Sequence, residues 1–255
     1  MRKLHKEQGG ERGFTLIEMM IVIAILATVT GGIFLQLNTA QQRINTEQTK
    51  VDNFDEARDF VDQFFRDINL IGYPNGHMVS FLPPMTSAAN LASAQQDSRV
   101  AVGLVKIDQN AIWFEGDVNG TGVVQSVQYM INGNAAASPC LLCLQRSSVA
   151  KANGTAPLSQ AASWGTEVND VITTPIFTYF DTGGNAIATT SLPADISNNP
   201  TIIASIKTIH ISLTIQDPAN IDPKTKQPIQ TSFEGEVSLN NCSMATYGYS
   251  GISCQ

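Results

Sequence analysis

The sequence predicts an α+β protein in which a long N-terminal helix, its first half fit to cross a membrane, packs on an antiparallel β-sheet domain. Three observations carry this expectation. An unbroken apolar run lies close to the N-terminus, a helix-spaced apolar stripe follows it, and beyond residue 73 apolar and polar residues alternate. The chain has 255 residues, 43% of them hydrophobic and 15% charged, which is the balance of a chain that folds around a sizeable core.

The apolar run, FTLIEMMIVIAILATVTGGIFL, occupies residues 14–35, and Glu18 is its only charge. As a helix it is long enough for the ~30 Å hydrocarbon core of a bilayer. Arg2, Lys3, Lys6 and Arg12 precede it, which places the N-terminus in the cytoplasm and the bulk of the chain outside. An ordinary secretory signal would have a shorter apolar region followed by a small-residue cleavage site, whereas here the helix-compatible LQLNTAQQRINTEQ continues from Leu35. A plain membrane anchor accounts for the length but not for Glu18. An acid at the bilayer centre costs about 2.5–3.5 kcal/mol, less toward the edge, and such acids keep partners. If the chain were cut between Gly13 and Phe14, a new amine would stand four residues from Glu18. The two fold back on one another poorly within one helix, but between offset neighbouring helices one subunit's amine meets another's carboxylate.

The stretch GFTLIEMMIVIAIL resembles the class III leader junction of type IV pilins and type II secretion pseudopilins. The resemblance implies cleavage after Gly13 by a prepilin peptidase, N-methylation of Phe14, and a role for Glu18 in docking subunits during assembly. It implies three segments: a leader at 1–13, a helix at 14–72 with 14–35 transmembrane, and an extracytoplasmic β-rich domain at 73–255. The implied partners are other pilin subunits, met through the N-terminal helix, the peptidase, and the inner membrane before assembly into a pilus or pseudopilus. Many major pilins carry a proline within the apolar helix; here the first proline is Pro74. Gly31-Gly32 either loosens the helix locally or lets neighbouring helices approach closely.

After Leu35 the chain turns polar without losing helical character, and residues 33–71 contain no Gly or Pro. Phe54, Ala57, Val61, Phe64, Ile68 and Ile71 recur in alternating steps of three and four, the mark of one core-facing side of a helix. Arg58, Asp62 and Arg66 follow at i, i+4 on the opposite side and suit weak ion pairs. Gly72 fits a C-terminal cap and Pro74 forbids continuation. FFRDINLIGYP resembles the end of this helix in PilW-like minor pilins.

Ile209, Ile211, Leu213 and Ile215 alternate with polar residues, and so do Phe233, Gly235, Val237 and Leu239. Both runs predict half-buried antiparallel strands. AIWFEGDVNGTGVVQSVQYMI predicts a hairpin around Asn-Gly, and PIFTYFDTGGNAI a strand entering a Gly-Gly turn. TIQDPANIDPKTKQPIQTSF is expected to join two strands by a polar loop, and 83–98 and 132–165 to be irregular. The order of these strands is similar to the C-terminal half of PilW-like minor pilins and J-type pseudopilins.

The cysteines are Cys140, Cys143, Cys242 and Cys254. Proximity favours Cys140 with Cys143 and Cys242 with Cys254 among the three pairings. Cys140-Leu-Leu-Cys143 also has the spacing of a redox or zinc pair, but no second pair of ligands lies near it in sequence, and the expected context is β-rich. Asp117-Val-Asn119-Gly-Thr121 offers alternate oxygens without the rest of a calcium loop and reads as a tight turn. His5 lies in the leader, and His77 and His210 are solitary, with His210 on the polar side of a strand. No nucleophile–base pair, phosphate loop or Gly-x-Ser-x-Gly pattern occurs. The expectation is a protein without catalytic residues, metal or cofactor.

The first thirteen residues hold four of the 15 basic and two of the 22 acidic residues, so the remainder carries a net charge of −9. Such a body repels phosphate backbones, and no nucleic-acid partner is expected. The function expected is that of a PilW-like minor pilin that primes assembly or sits at a filament tip. The alternatives are a J-type pseudopilin of type II secretion and, from another class, a membrane-anchored extracytoplasmic redox or enzyme domain.

Overall fold

The computed structural model describes residues 13–76, 80, 82, 87–132, 142–172, 175–222 and 225–240. The architecture is α+β and pilin-like, with a long N-terminal helix followed by an antiparallel β-sheet domain. The chain divides into two compact units, Met1–Glu47 and Gln48–Gln255. Helix α1 (Leu16–Asn69) contributes to both.

In the first unit the described residues from Leu16 onward are helical. Residues 13–45 are all exposed, and the apolar window within α1 has a mean hydropathy of 2.2, long and apolar enough to cross a membrane. Apolar side chains point to every side, so no stripe is left for a water-facing surface.

In the second unit the helix has a stripe. Ala57, Val61, Phe64 and Ile68 are buried at the expected spacing, and Phe60, outside that series, is buried with them. Phe54, the first member of the expected stripe, is 42% exposed. Arg58 and Asp62 form an exposed ion pair at 3.7 Å. The helix ends at Asn69, three residues short of the expected end, and Gly72 takes φ +72°, the left-handed conformation that glycine adopts without a Cβ penalty. There the Gly72 N–H donates to the Glu115 carbonyl at 2.8 Å.

The sheets are built from β1 (Leu104–Ile107), β2 (Ala111–Gly116), β3 (Gln125–Ile131), β4 (Leu144–Ala150), β5 (Trp164–Val168), β6 (Phe177–Asp181), β7 (Ala194–Asp195), β8 (Ile206–Ile221) and β9 (Pro228–Ser238). One sheet has the order β5-β4-β3-β2-β1-β7 and the other β6-β8-β9, with antiparallel pairing throughout. Two short helices, α2 (Ala88–Gln95) and α3 (Pro200–Ser205), complete the unit. The helix packs on both sheets: Phe64 lies edge-on to Tyr129 of β3 and stacks on Phe177 of β6. Gly235 of β9 faces the Phe65 ring so closely that a Cβ there would collide with it. Tyr179 of β6 places its hydroxyl 2.8 Å from the Asp108 carbonyl between β1 and β2, joining the two sheets.

The expected hairpin is β2–β3, and the alternation at 209–215 and 233–239 faces the core as expected. His210 is half-buried, not exposed, because its neighbours on β6 and β9 flank it. The stretches expected to be irregular are partly regular. Residues 83–98 contain α2, capped by Ser87 through its side chain, and 132–165 contain β4 and the start of β5. Ala, Ser and Gln are as common in β4 as in a loop, but ladder bonding to β3 gives them a register. The polar connection between β8 and β9 is also shorter than expected, since pairing runs out to Ile221 and Pro228.

A fully buried ion pair lies beside the end of α1. Lys151 Nζ donates to Glu115 Oε2 at 2.6 Å and to the Val100 carbonyl at 3.0 Å, and the Val102 N–H donates to the same Glu115 oxygen at 3.0 Å. Glu115 Oε1 is buried without a hydrogen-bond partner. Burial pushes the Glu115 carboxyl above its ordinary value, against the pull of Lys151. Glu115 therefore holds a proton more tightly folded than unfolded. Its contribution is favourable below the ordinary value of 4.5 and is lost as pH rises through the raised folded value. Denaturant unfolding of the detergent-solubilised chain, followed as pH rises from 4.5, is expected to show stability falling more steeply in wild type than in Glu115→Gln. Parallel slopes would contradict this account.

Candidate functional site

The residues that the sequence singles out for processing and assembly lie at the start of α1. Gly13 and Phe14 precede the helix, and Phe14 is 83% exposed. Gly13 has open space around its Cα, so nothing among the described residues hides the Gly13–Phe14 bond. Thr15 stands immediately before the first helical residue and Glu18 is in the first turn.

These two side chains satisfy each other. Glu18 Oε2 accepts from the Thr15 N–H at 2.8 Å and from the Thr15 hydroxyl at 2.9 Å, while the Glu18 N–H donates to Thr15 Oγ1 at 3.3 Å. This is a capping box, in which Thr-x-x-Glu supplies partners for amides that a helix start leaves unpaired. The carboxylate also lies at the positive end of the helix dipole. A charge that looks anomalous in an apolar run thus has a local use. One carboxylate oxygen takes all of these bonds; the other, Oε1, takes none among the described residues.

Thr15 was not among the residues that the sequence reading picked out. Its signal is present, since a threonine three residues ahead of a glutamate at the head of an apolar run is the written form of this cap.

Cys143 is buried and disulfide-bonded; Cys140, Cys242 and Cys254 lie outside the described residues, as do His5 and His77. Asp117 accepts from the Thr121 and Gly122 amides at 3.0 and 2.8 Å, so its oxygens close a turn. Among the described residues no group of three His, Cys, Asp or Glu is placed to hold a metal.

A second polar cluster, 62 to 79 residues apart in sequence, joins α1 to the larger sheet. Asp67 Oδ2 accepts from Tyr129 Oη at 2.7 Å and from Arg146 Nε and Nη2 at 3.0 and 2.8 Å. Arg146 Nε also reaches the Tyr129 oxygen at 3.0 Å. Burial, and then the Asp67 charge, hold the Tyr129 hydroxyl well above its ordinary value, so it stays a neutral donor. Asp67 is thereby paired inside the fold, and the cluster reads as a fastening of the helix.

Residues 9–34 match the prokaryotic N-terminal methylation motif. No curated protein and no solved structure matches the chain. The match covers Gly13, Phe14, Glu18 and most of the apolar run, and it indicates a type IV pilin-like prepilin. Such a precursor is processed by prepilin peptidase and assembles with other pilins, and the apolar helix is compatible with membrane anchoring.

The capping box makes a local prediction. Thr15→Val removes the acceptor of the Glu18 amide, and the loss of a cap costs about 1 kcal/mol. In micelles the Glu18 amide is expected to exchange with solvent roughly fivefold faster than in wild type. An unchanged exchange rate would show that the cap does not form in an apolar medium.

Proposed function

We propose that this chain is a PilW-like minor pilin, made as a single-pass inner-membrane precursor with its β domain outside the cytoplasm. The observation that carries the reading is the junction itself. Gly13-Phe14 is accessible, it lies directly before a capped helix start, and the helix is apolar on every side through residue 35. On this reading the leader ends at Gly13, Phe14 becomes the methylated N-terminus, and the chain acts by assembly rather than by catalysis. Residues 14–72 form the assembly helix and its docked continuation, and 73–255 form the exposed domain.

Glu18 then has two tasks that its two oxygens can share. Oε2 holds Thr15 and shapes the first turn. Oε1 is left to accept the N-terminal amine of a neighbouring subunit, so that two charges are neutralised together in an apolar bundle. The pairing rewards one axial offset between helices and thereby sets register. Priming of assembly, or a place at the filament tip beside other minor pilins, follows from the likeness of the outer strands to PilW-like chains.

Two variants separate the steps. Gly13→Leu is expected to abolish cleavage, leaving the precursor mass in the membrane fraction; a mature chain beginning at Phe14 would refute the junction. Glu18→Ala is expected to insert and be cleaved normally, yet to enter filaments at least tenfold less than wild type. Its recovery from sheared filaments at the wild-type level would refute the pairing.

A further inference from the structure

Glu115 of β2 and Lys151, the residue after β4, meet in a site that holds too few partners for two ions. Both side chains are wholly buried. An ammonium has three donors, but Lys151 Nζ has two acceptors, Glu115 Oε2 at 2.6 Å and the Val100 carbonyl at 3.0 Å. A carboxylate has two oxygens to satisfy, but only Oε2 of Glu115 is served, by Nζ and by the Val102 N–H at 3.0 Å. Oε1 is buried without a donor. The ion pair therefore leaves one N–H and one oxygen over, where an unmet polar group is costly and a charge more so.

We propose that Lys151 and Glu115 condense slowly, once the domain has folded, into an intramolecular amide between Nζ and Cδ, with release of water. The product matches the partners that the site provides. Its single N–H keeps the Val100 carbonyl, and its single oxygen, Oε2, keeps the Val102 N–H. The atom that leaves is Oε1, the oxygen with no donor. One Nζ proton first passes to Oε2 along their hydrogen bond, and the neutral amine attacks Cδ. A second Nζ proton then moves to Oε1, which departs as water with the proton that Oε2 carried. Nothing is oxidised or reduced. Burial favours the neutral carboxyl, and holding two reactants in place is worth effective molarities of roughly 10⁵–10⁸ M. The ion pair described above is the reactant, and its response to pH belongs to the chain before condensation. The new bond would join the end of β2 to the end of β4 across β3. Because the Glu115 carbonyl accepts the Gly72 N–H, it would clamp the strand that receives the chain leaving α1.

The test uses the full chain folded in detergent and held at growth temperature for several days, with a second sample held in urea. Each is reduced, and its intact mass is measured over time. The folded chain is expected to lose the mass of one water and the urea sample to keep the full mass, since unfolding parts the two side chains. After proteolysis the lighter chain is expected to yield a branched peptide in which the segment with Lys151 is joined through its side chain to the segment with Glu115. Lys151→Arg keeps the positive charge but lacks the amine, and is expected to keep the full mass. The branch is read on the wild-type chain, so the assignment does not depend on how well the variant folds. A folded wild-type chain that keeps its full mass overturns the proposal. So does a water lost equally in urea or in Lys151→Arg, or a fragment map that places the loss at another residue.

Discussion

One helix carries two surface patterns, and most of the protein follows from that constraint. Over residues 16–35 every side of α1 is apolar, as lipid or a bundle of like helices requires. From Ala57 onward the apolar residues withdraw to one side, and the sheets cover it with Tyr129, Phe177 and Gly235. The close approach at Gly235 is possible because no side chain intervenes; Phe65 fills the space that a Cβ would need. Between these regimes Val51 and Phe54 are neither lipid-length nor covered, and that is why they stand out.

Polar groups follow a common rule in both units: each charge placed in an apolar setting is given a donor or a counter-charge. Glu18 takes the Thr15 amide and hydroxyl, Asp67 takes Arg146 and Tyr129, and Glu115 takes Lys151 and the Val102 amide. The purposes differ. The Glu18 arrangement uses only local sequence and leaves an oxygen over. The Asp67 arrangement spends its oxygen on three donors from distant strands, which suits a fastening and not a contact to be exchanged. Glu115 is the most enclosed of the three, and its unpartnered Oε1 marks a cost that the surrounding core offsets.

The fold was legible where periodicity was strong. Ala57, Val61, Phe64 and Ile68 read as a helix side, and Ile209 through Ile215 as a strand face, because one side of each is buried and composition follows burial. It was illegible where composition is bland. In β4 the pairing partners, not the residue types, decide that Gln145 to Ser148 are extended. The methylation motif over residues 9–34 was legible because it is local, and Thr15 lay within it unnoticed. The Asp67–Arg146 and Glu115–Lys151 pairs span 79 and 36 residues, and only the packed fold brings them together.

The enclosure of Glu115 and Lys151 has a consequence for the surroundings in which such a domain can work. Both side chains are wholly removed from solvent, so mobile ions have no route between them, whereas the open Arg58–Asp62 pair is screened within a Debye length of about 8 Å at physiological ionic strength. The attraction between Glu115 and Lys151, beside the end of α1, is therefore expected to keep its strength at salt concentrations that weaken the open pair.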